Sequence, residues 1–411
     1  MPKIVDNIFL YASTILAMSF FFGLAVNSIA FALFIVAAIV QIIRDKTISK
    51  SSFKLLSSNK YFLAGFLFFV IQLLLVIFIA NNKEGYDKLR NLLPILIIPL
   101  LFYFNKGKIN TKFFNFISGA FVIGAIINIV VNSVNAIFRG YIISGKIQST
   151  YFTYDSFAEP FRIQPIYLSI YYLIAIVFLI NFFATTKDKT AKTILLGLFF
   201  FLFSGMVLLS ARMTILISLL VIPLSLFFAL KNKKLVAIST LCIYIIFGSI
   251  VFFNSNLKDR FLSMNKEVAN YSGFKLRKKL WEKSINVIKE SPIYGYSLGN
   301  YNEELINEYK RTNFRRALRY KYNSHNQYIQ TLLVSGIIGF LFFIYLLFGS
   351  MPEVLKSKDY IYLLFIVVLS LSAITESIFH RQFGIMFFSF MNFFLFAHMN
   401  FNKSLSNSEV S

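Results

Sequence analysis

The chain has 411 residues, 57% hydrophobic, 18% aromatic and only 14% charged, with a formal net charge of +23. Soluble domains carry about 25% charged residues, so the composition excludes an ordinary soluble protein and fits a polytopic membrane protein. The positive charge is scattered over short loops between apolar runs, without a nucleic-acid motif, which argues against a nucleic-acid partner. Cys242, the single cysteine, lies in an apolar run; no internal disulfide can form and no redox role is indicated.

About 20 apolar residues cross a bilayer. The apolar runs in chain order are 8–24, 27–43, 61–80, 91–105, 113–137, 164–183, 193–210, 213–230, 235–254, 326–349, 359–378 and 383–400. The expected fold is therefore all-α, with about twelve transmembrane helices: nine up to residue 254, a large loop over 255–325, three more over 326–400, then a polar, disordered tail over 401–411. No small-x-small cleavage site follows the first run, so a retained span is expected there rather than a signal peptide. Residues 193–230 would be roughly 57 Å long as one helix, too long for one crossing, and Ser210-Ala211-Arg212-Met213-Thr214 is the polar break at which they turn back.

Short loops set the orientation. Loops 44–60, 106–112, 187–192, 231–234 and 356–358, with Lys3 and Lys403, hold 18 Lys/Arg, against 8 on the opposite side. The positive-inside rule places the first set and both termini in the cytoplasm and residues 255–325 outside. That loop carries 15 Lys/Arg against 7 Asp/Glu. Loops beyond about 60 residues are exempt from the rule, so its charge calls for another explanation: an anionic substrate.

Residues 274–290 read as an amphipathic helix stopped by Ser291-Pro292. At about 100° per residue, Leu280, Trp281, Ile285, Val287 and Ile288 share a face with Arg277, while the lysines, Glu282 and Glu290 point the other way. Arg277 is thus the one charge on the apolar face, and either snorkels to the interface or is delivered into a cavity. Arg212, the only charge within residues 193–230, sits at their outer turn. Arginine suits a diphosphate, because its planar fork donates paired hydrogen bonds and keeps its charge. His325 follows Asn323-Ser324, a plausible N-cap pair, which places it in the first turn of the tenth span. There the partial positive charge of the helix end favours a neutral ring, and free N–H groups attract an anion. Arg311, Arg315, Arg316, Arg319 and Lys321 form a second basic run, read mainly as a solvated face beside anionic headgroups. Glu376, His380 and Arg381 sit at the outer turn of the last hairpin; Glu376 and His380 are i,i+4 neighbours, which either satisfy each other or take a functional role.

His325, His380 and His398 are far apart, with no carboxylate cluster, so no metal site is expected. Walker, GxSxG and Rossmann fingerprints do not occur in a usable context. The energy for a reaction would then come from an activated substrate.

The chain resembles the O-antigen ligase and polymerase superfamily of bacterial envelope enzymes over about 200–345. The matching elements are Ser210-Ala211-Arg212, Arg277-x3-Trp281, Ser291-Pro292-Ile293-Tyr294-Gly295-Tyr296, and Ser324-His325-Asn326-Gln327-Tyr328-Ile329-Gln330 leading into Gly336-Ile337-Ile338-Gly339. Where the family usually has Arg-Gly, this chain has Arg212-Met213. The resemblance implies a cofactor-free enzyme of the bacterial inner membrane, working at its periplasmic face. It implies that Arg212 and Arg277 hold the diphosphate of an undecaprenyl-pyrophosphate-linked glycan. His325 would deprotonate the acceptor, with Tyr322, Asn326, Gln327 and Trp281 in support. A ligase would use lipid A–core as acceptor; a polymerase, a second lipid-linked repeat. A flippase for lipid-linked glycans is the alternative of another class, but it needs a polar path across the bilayer, and here charges cluster at span ends.

Overall fold

A computed structural model describes residues 7–49, 60–253 and 273–410, and every element in them is helical. The first part of the basic loop, 255–272, lies outside the described residues. In chain order the α-helices are α1 (Ile8–Ser19), α2 (Gly23–Asp45), α3 (Lys60–Leu75, continued by a π-turn over Val76–Ala80), α4 (Lys83–Asn91), α5 (Leu93–Phe104) and α6 (Thr111–Ser144). Then follow α7 (Tyr154–Ala158), α8 (Pro165–Thr185), α9 (Lys189–Leu208), α10 (Arg212–Ala229) and α11 (Lys233–Phe253). The last set is α12 (Phe274–Glu290), α13 (Ser297–Arg311), α14 (Arg315–Tyr320), α15 (Gln327–Phe348), α16 (Met351–Ser357), α17 (Tyr360–Ala373) and α18 (Gln382–Val410).

Each apolar run is helical, but twelve full crossings are not what the lengths show. Among the described residues, eight helices are long and apolar enough to cross a membrane. α1 and α5 have 12 residues and α17 has 14. At 1.5 Å per residue these reach about 18–21 Å, short of a hydrocarbon core about 30 Å thick. The expected fourth span, 91–105, is divided from polar α4 at Leu92. In the other direction, α6 has 34 residues and continues beyond residue 137 to Ser144. The tail also departs from expectation: the backbone of α18 stays helical to Val410, since extending an existing helix is far easier than nucleating one.

α8 and α18 form the centre of the bundle, with 78% and 83% of their apolar windows buried, against 28% for the α3 window. Their contact is aromatic: Tyr171 and Phe387 lie 4.4 Å apart between ring centroids, with Phe20 edge-on to both. The periphery is apolar as well; Ile29, Ile43, Phe78 and Leu341 are largely exposed. Apolar surface on this scale needs a lipid environment.

α12–α14 make a lobe with a core of its own, built from Leu280, Val287, Tyr301, Leu305, Tyr309 and Ala317 and closed by Leu333 and Val334 of α15. The expected apolar face of α12 is largely the buried one, with a correction: Ile285, at the rim of the wheel, is 43% exposed, while Ser284 is buried in the seam. The lobe is locked to α15 through its backbone. α15 is broken at Ser335 and Gly336 (φ +57°), which frees helical N–H and C=O groups. The turn after α12 satisfies them: Ile337 N donates to Pro292 O at 2.9 Å, and Tyr296 N donates to Leu333 O at 3.0 Å. This is the physical role of the Pro-x-x-Gly element. A Cβ on Gly336 would collide with the Ile293 carbonyl, and one on Gly295 would lie 2.6 Å from Val334 C.

Candidate functional site

At the junction of lobe and bundle lies an open cavity of about 450 Å³. Arg212, Arg277, Arg316, Tyr322, His325 and Thr375 line it, from five separate segments of the chain. Arg212 is the first residue of α10, after the break at Ser210 (φ +49°) and Ala211. Its Nη1 packs against Gly273, where a Cβ would stand 3.1 Å away. Arg277 leaves α12 toward the bundle, and its Nε donates to the Thr375 carbonyl at 3.0 Å. Both arginines singled out in the sequence therefore reach one cavity, and Arg277 does so rather than snorkelling into open solvent.

His325 reaches the same cavity from a different local structure than expected. The helix N-cap is Asn326, whose Oδ1 accepts from Ile329 N at 3.1 Å, so His325 precedes the helix. Asn323 instead accepts from His325 N at 3.0 Å, a turn that holds His325 at φ +46°. Asn side chains close such turns readily; a histidine in the left-handed region is uncommon and fits a functional constraint. Tyr154 and Ser210, which line the same cavity, are left-handed too.

The supporting residues divide into two groups. Tyr322 lines the cavity, its ring edge-on to His325 at 5.5 Å. Asn326, Gln327 and Trp281 do not line it. Asn326 and Gln327 build the turn: Gln327 Oε1 accepts from Phe379 N at 2.7 Å, and its Nε2 donates to Thr331 Oγ1 at 3.0 Å. Gln330 accepts from Ser324 Oγ at 2.9 Å.

Two residues of the site were not placed there by sequence reasoning. Arg316, read as part of a solvated basic run, turns into the cavity from the short α14. Arg311 in that run behaves as expected of a surface residue, bridging Glu308 at 2.6 Å. The other is Glu376. The expected pair with His380 does not form, because residues 374–377 are not helical. Glu376 Oε2 lies 3.5 Å from His325 Nδ1, and His380 Nδ1 meets the Tyr301 hydroxyl at 3.1 Å. Burial raises the Glu376 carboxyl, but His325, Arg277 and Arg381 outweigh it and hold it below its ordinary value. Burial, with the charges of Lys88 and Arg381, pushes the His380 imidazole down to about 4. Among the described residues no three His, Cys, Asp or Glu side chains gather as a metal site would require.

Fold and site together define a polytopic helical membrane protein whose polar lobe closes an arginine- and histidine-lined cavity. Residues 197–344 match the family model described as O-antigen ligase. The match runs from α9 to within α15 and contains Arg212, Arg277, Arg316, Tyr322 and His325, so the similarity to the O-antigen ligase superfamily lies in the stretch that builds the cavity. Glu376 lies beyond it. A Haemophilus influenzae (strain ATCC 51907 / DSM 11121 / KW20 / Rd) protein, described only as uncharacterized, is 25% identical over 310 residues, covering 69% of this chain and 70% of its own.

Proposed function

We propose that this protein is a membrane-embedded, inverting glycosyltransferase that moves a glycan from an undecaprenyl-pyrophosphate carrier to an acceptor hydroxyl, as an O-antigen ligase does. The convergence of Arg212, Arg277, Arg316 and His325 on one cavity carries this reading. A polyprenyl diphosphate is a stable anion as a leaving group, so the site must bind its charge and remove one proton. The acceptor oxygen forms its bond to the anomeric carbon from the face opposite the diphosphate. The bond from that carbon to the diphosphate oxygen breaks, its electron pair leaving with the lipid carrier. The arginines stabilise the charge that gathers there, and His325 takes the proton of the attacking hydroxyl. The reaction needs no nucleotide, because the glycan arrives activated.

The test is transfer by the purified protein from undecaprenyl-pyrophosphate glycan to lipid A–core, with a second lipid-linked glycan as the alternative acceptor. A deletion strain separates the roles. Loss of long-chain lipopolysaccharide with accumulating lipid-linked polymer means a ligase; core bearing one repeat means a polymerase. Intermediates retained on the cytoplasmic face would replace both readings with a flippase.

A further inference from the structure

We propose that Glu376 is the positioning residue for His325, holding Nδ1 protonated so that Nε2 is the base, and stabilising the imidazolium formed during transfer. The inference rests on the reading of His325 as base. Among the described residues, His325 is the only cationic partner within ion-pair distance of Glu376, at 3.5 Å from Nδ1. Nδ1 is itself buried with no aligned hydrogen bond, while the His325 side chain is 29% exposed; the open part of the ring is therefore the one away from Glu376. Glu376 is only 8% exposed, so its charge acts in a poorly screened setting.

The loop carrying Glu376 is pinned to the catalytic turn and to the lobe. Thr375 O accepts from Arg277 Nε at 3.0 Å, Ser377 Oγ lies 3.4 Å from Ser324 Oγ, and Phe379 N donates to Gln327 Oε1 at 2.7 Å. Of these three bonds around one carboxylate, two hold it against the histidine turn and one ties it to α12. Among the described residues, the other charged groups lining the cavity are Arg212, Arg277 and Arg316, and Arg381 and Lys88 act on neighbouring His380 from the loop side. Without Glu376 an imidazolium would face the cavity's arginines and lose its ion-pair partner among the described residues. With it, the acceptor proton passes to Nε2 and the new positive charge faces a carboxylate through Nδ1–H, as in other carboxylate–histidine pairs.

The experiment measures transfer against pH with the full-length protein in nanodiscs, using undecaprenyl-pyrophosphate glycan as donor. Wild type, Glu376→Gln, Glu376→Asp and His325→Ala are compared, with donor binding and thermal stability recorded for each. Glu376→Gln is expected to lower kcat about 10–100-fold, the usual effect of losing a residue that orients a functional histidine, with KM for the donor nearly unchanged. The rate rises with pH as the ring becomes neutral. Losing the carboxylate lets the ring give up its proton more easily, so this acid limb moves to lower pH; Glu376→Asp recovers part of the rate. Wild-type kcat in Glu376→Gln, or a loss of rate with the limb unmoved, overturns the proposal. Full turnover by His325→Ala is a different failure, that of the base itself. An inactive His325→Ala beside a fully active Glu376→Gln removes only the role of Glu376.

Discussion

At the scale of single residues, the arginines and the histidine divide the work by chemistry. His325→Ala is expected to cut turnover by about 10²–10⁴-fold, the usual contribution of a positioned general base, while donor binding survives. His325→Gln keeps a hydrogen bond but cannot carry the proton, so it should be almost as inactive; the paired measurement is transfer and donor affinity on each variant. Loss of donor binding in His325→Ala would make the ring a phosphate ligand instead. Arg212→Ala and Arg277→Ala should each abolish transfer with expression intact, and lysine at either position should rescue only part, being a point charge without the fork. Lys278, exposed on the other face of α12, is the control. Equal losses from Lys278→Ala and Arg277→Ala would show that bulk loop charge is what counts.

At the scale of elements, the broken α15 and the turn after α12 support one another. Gly336 has φ +57° and ψ −163°, a region open essentially to glycine alone, and a Cβ there would meet the Ile293 carbonyl, so Gly336→Ala adds both backbone strain, about 1–3 kcal/mol, and a steric clash. A lowered melting temperature together with easier proteolysis of the lobe is expected, and unchanged stability would mean the interlock is slack. A second device is the Tyr301–His380 contact between α13 and the loop before α18. His380 stays neutral down to about 4 in the folded protein, against about 6.5 for a free histidine. Between those values the unfolded chain binds the additional proton, so the stability is present above about pH 6.5 and is lost as pH falls toward 4. Thermal unfolding in detergent should therefore show a falling midpoint from pH 7 to pH 5, and His380→Gln should flatten that slope.

At the scale of the whole molecule, the charge bias of the short loops predicts which side the cavity faces. In a Cys242→Ser background, cysteine at Lys279, exposed on the lobe, should react with an impermeant thiol reagent added outside intact spheroplasts. Cysteine at Lys231, exposed between α10 and α11, should react only after permeabilisation. The reverse pattern would invert the topology and place the cavity on the cytoplasmic face.

Much of this protein is legible in its sequence because lipid makes a simple demand: backbone polar groups must pair within a helix, and the residues facing out must be apolar. That demand locates the apolar helices, the hairpin break at Ser210-Ala211-Arg212 and the amphipathic α12. Arg212 and Arg277 are visible for the same reason, since a charge in an apolar setting is conspicuous. Helix lengths are less legible: α1, α5 and α17 stop short of the ends of the apolar runs that contain them. The details of the site depend on tertiary structure. The cap at Asn326, and with it the left-handed turn at His325, is settled by which side chain wins the free N–H groups. Arg316 looks like its solvated neighbours until α14 is folded against the cavity. Glu376 sits four residues from His380 in the chain, yet it pairs with His325, 51 residues away. The reason is physical: i,i+4 spacing brings side chains together only on a helix, and the lobe, α15 and the last loop must all be packed before that carboxylate meets its partner.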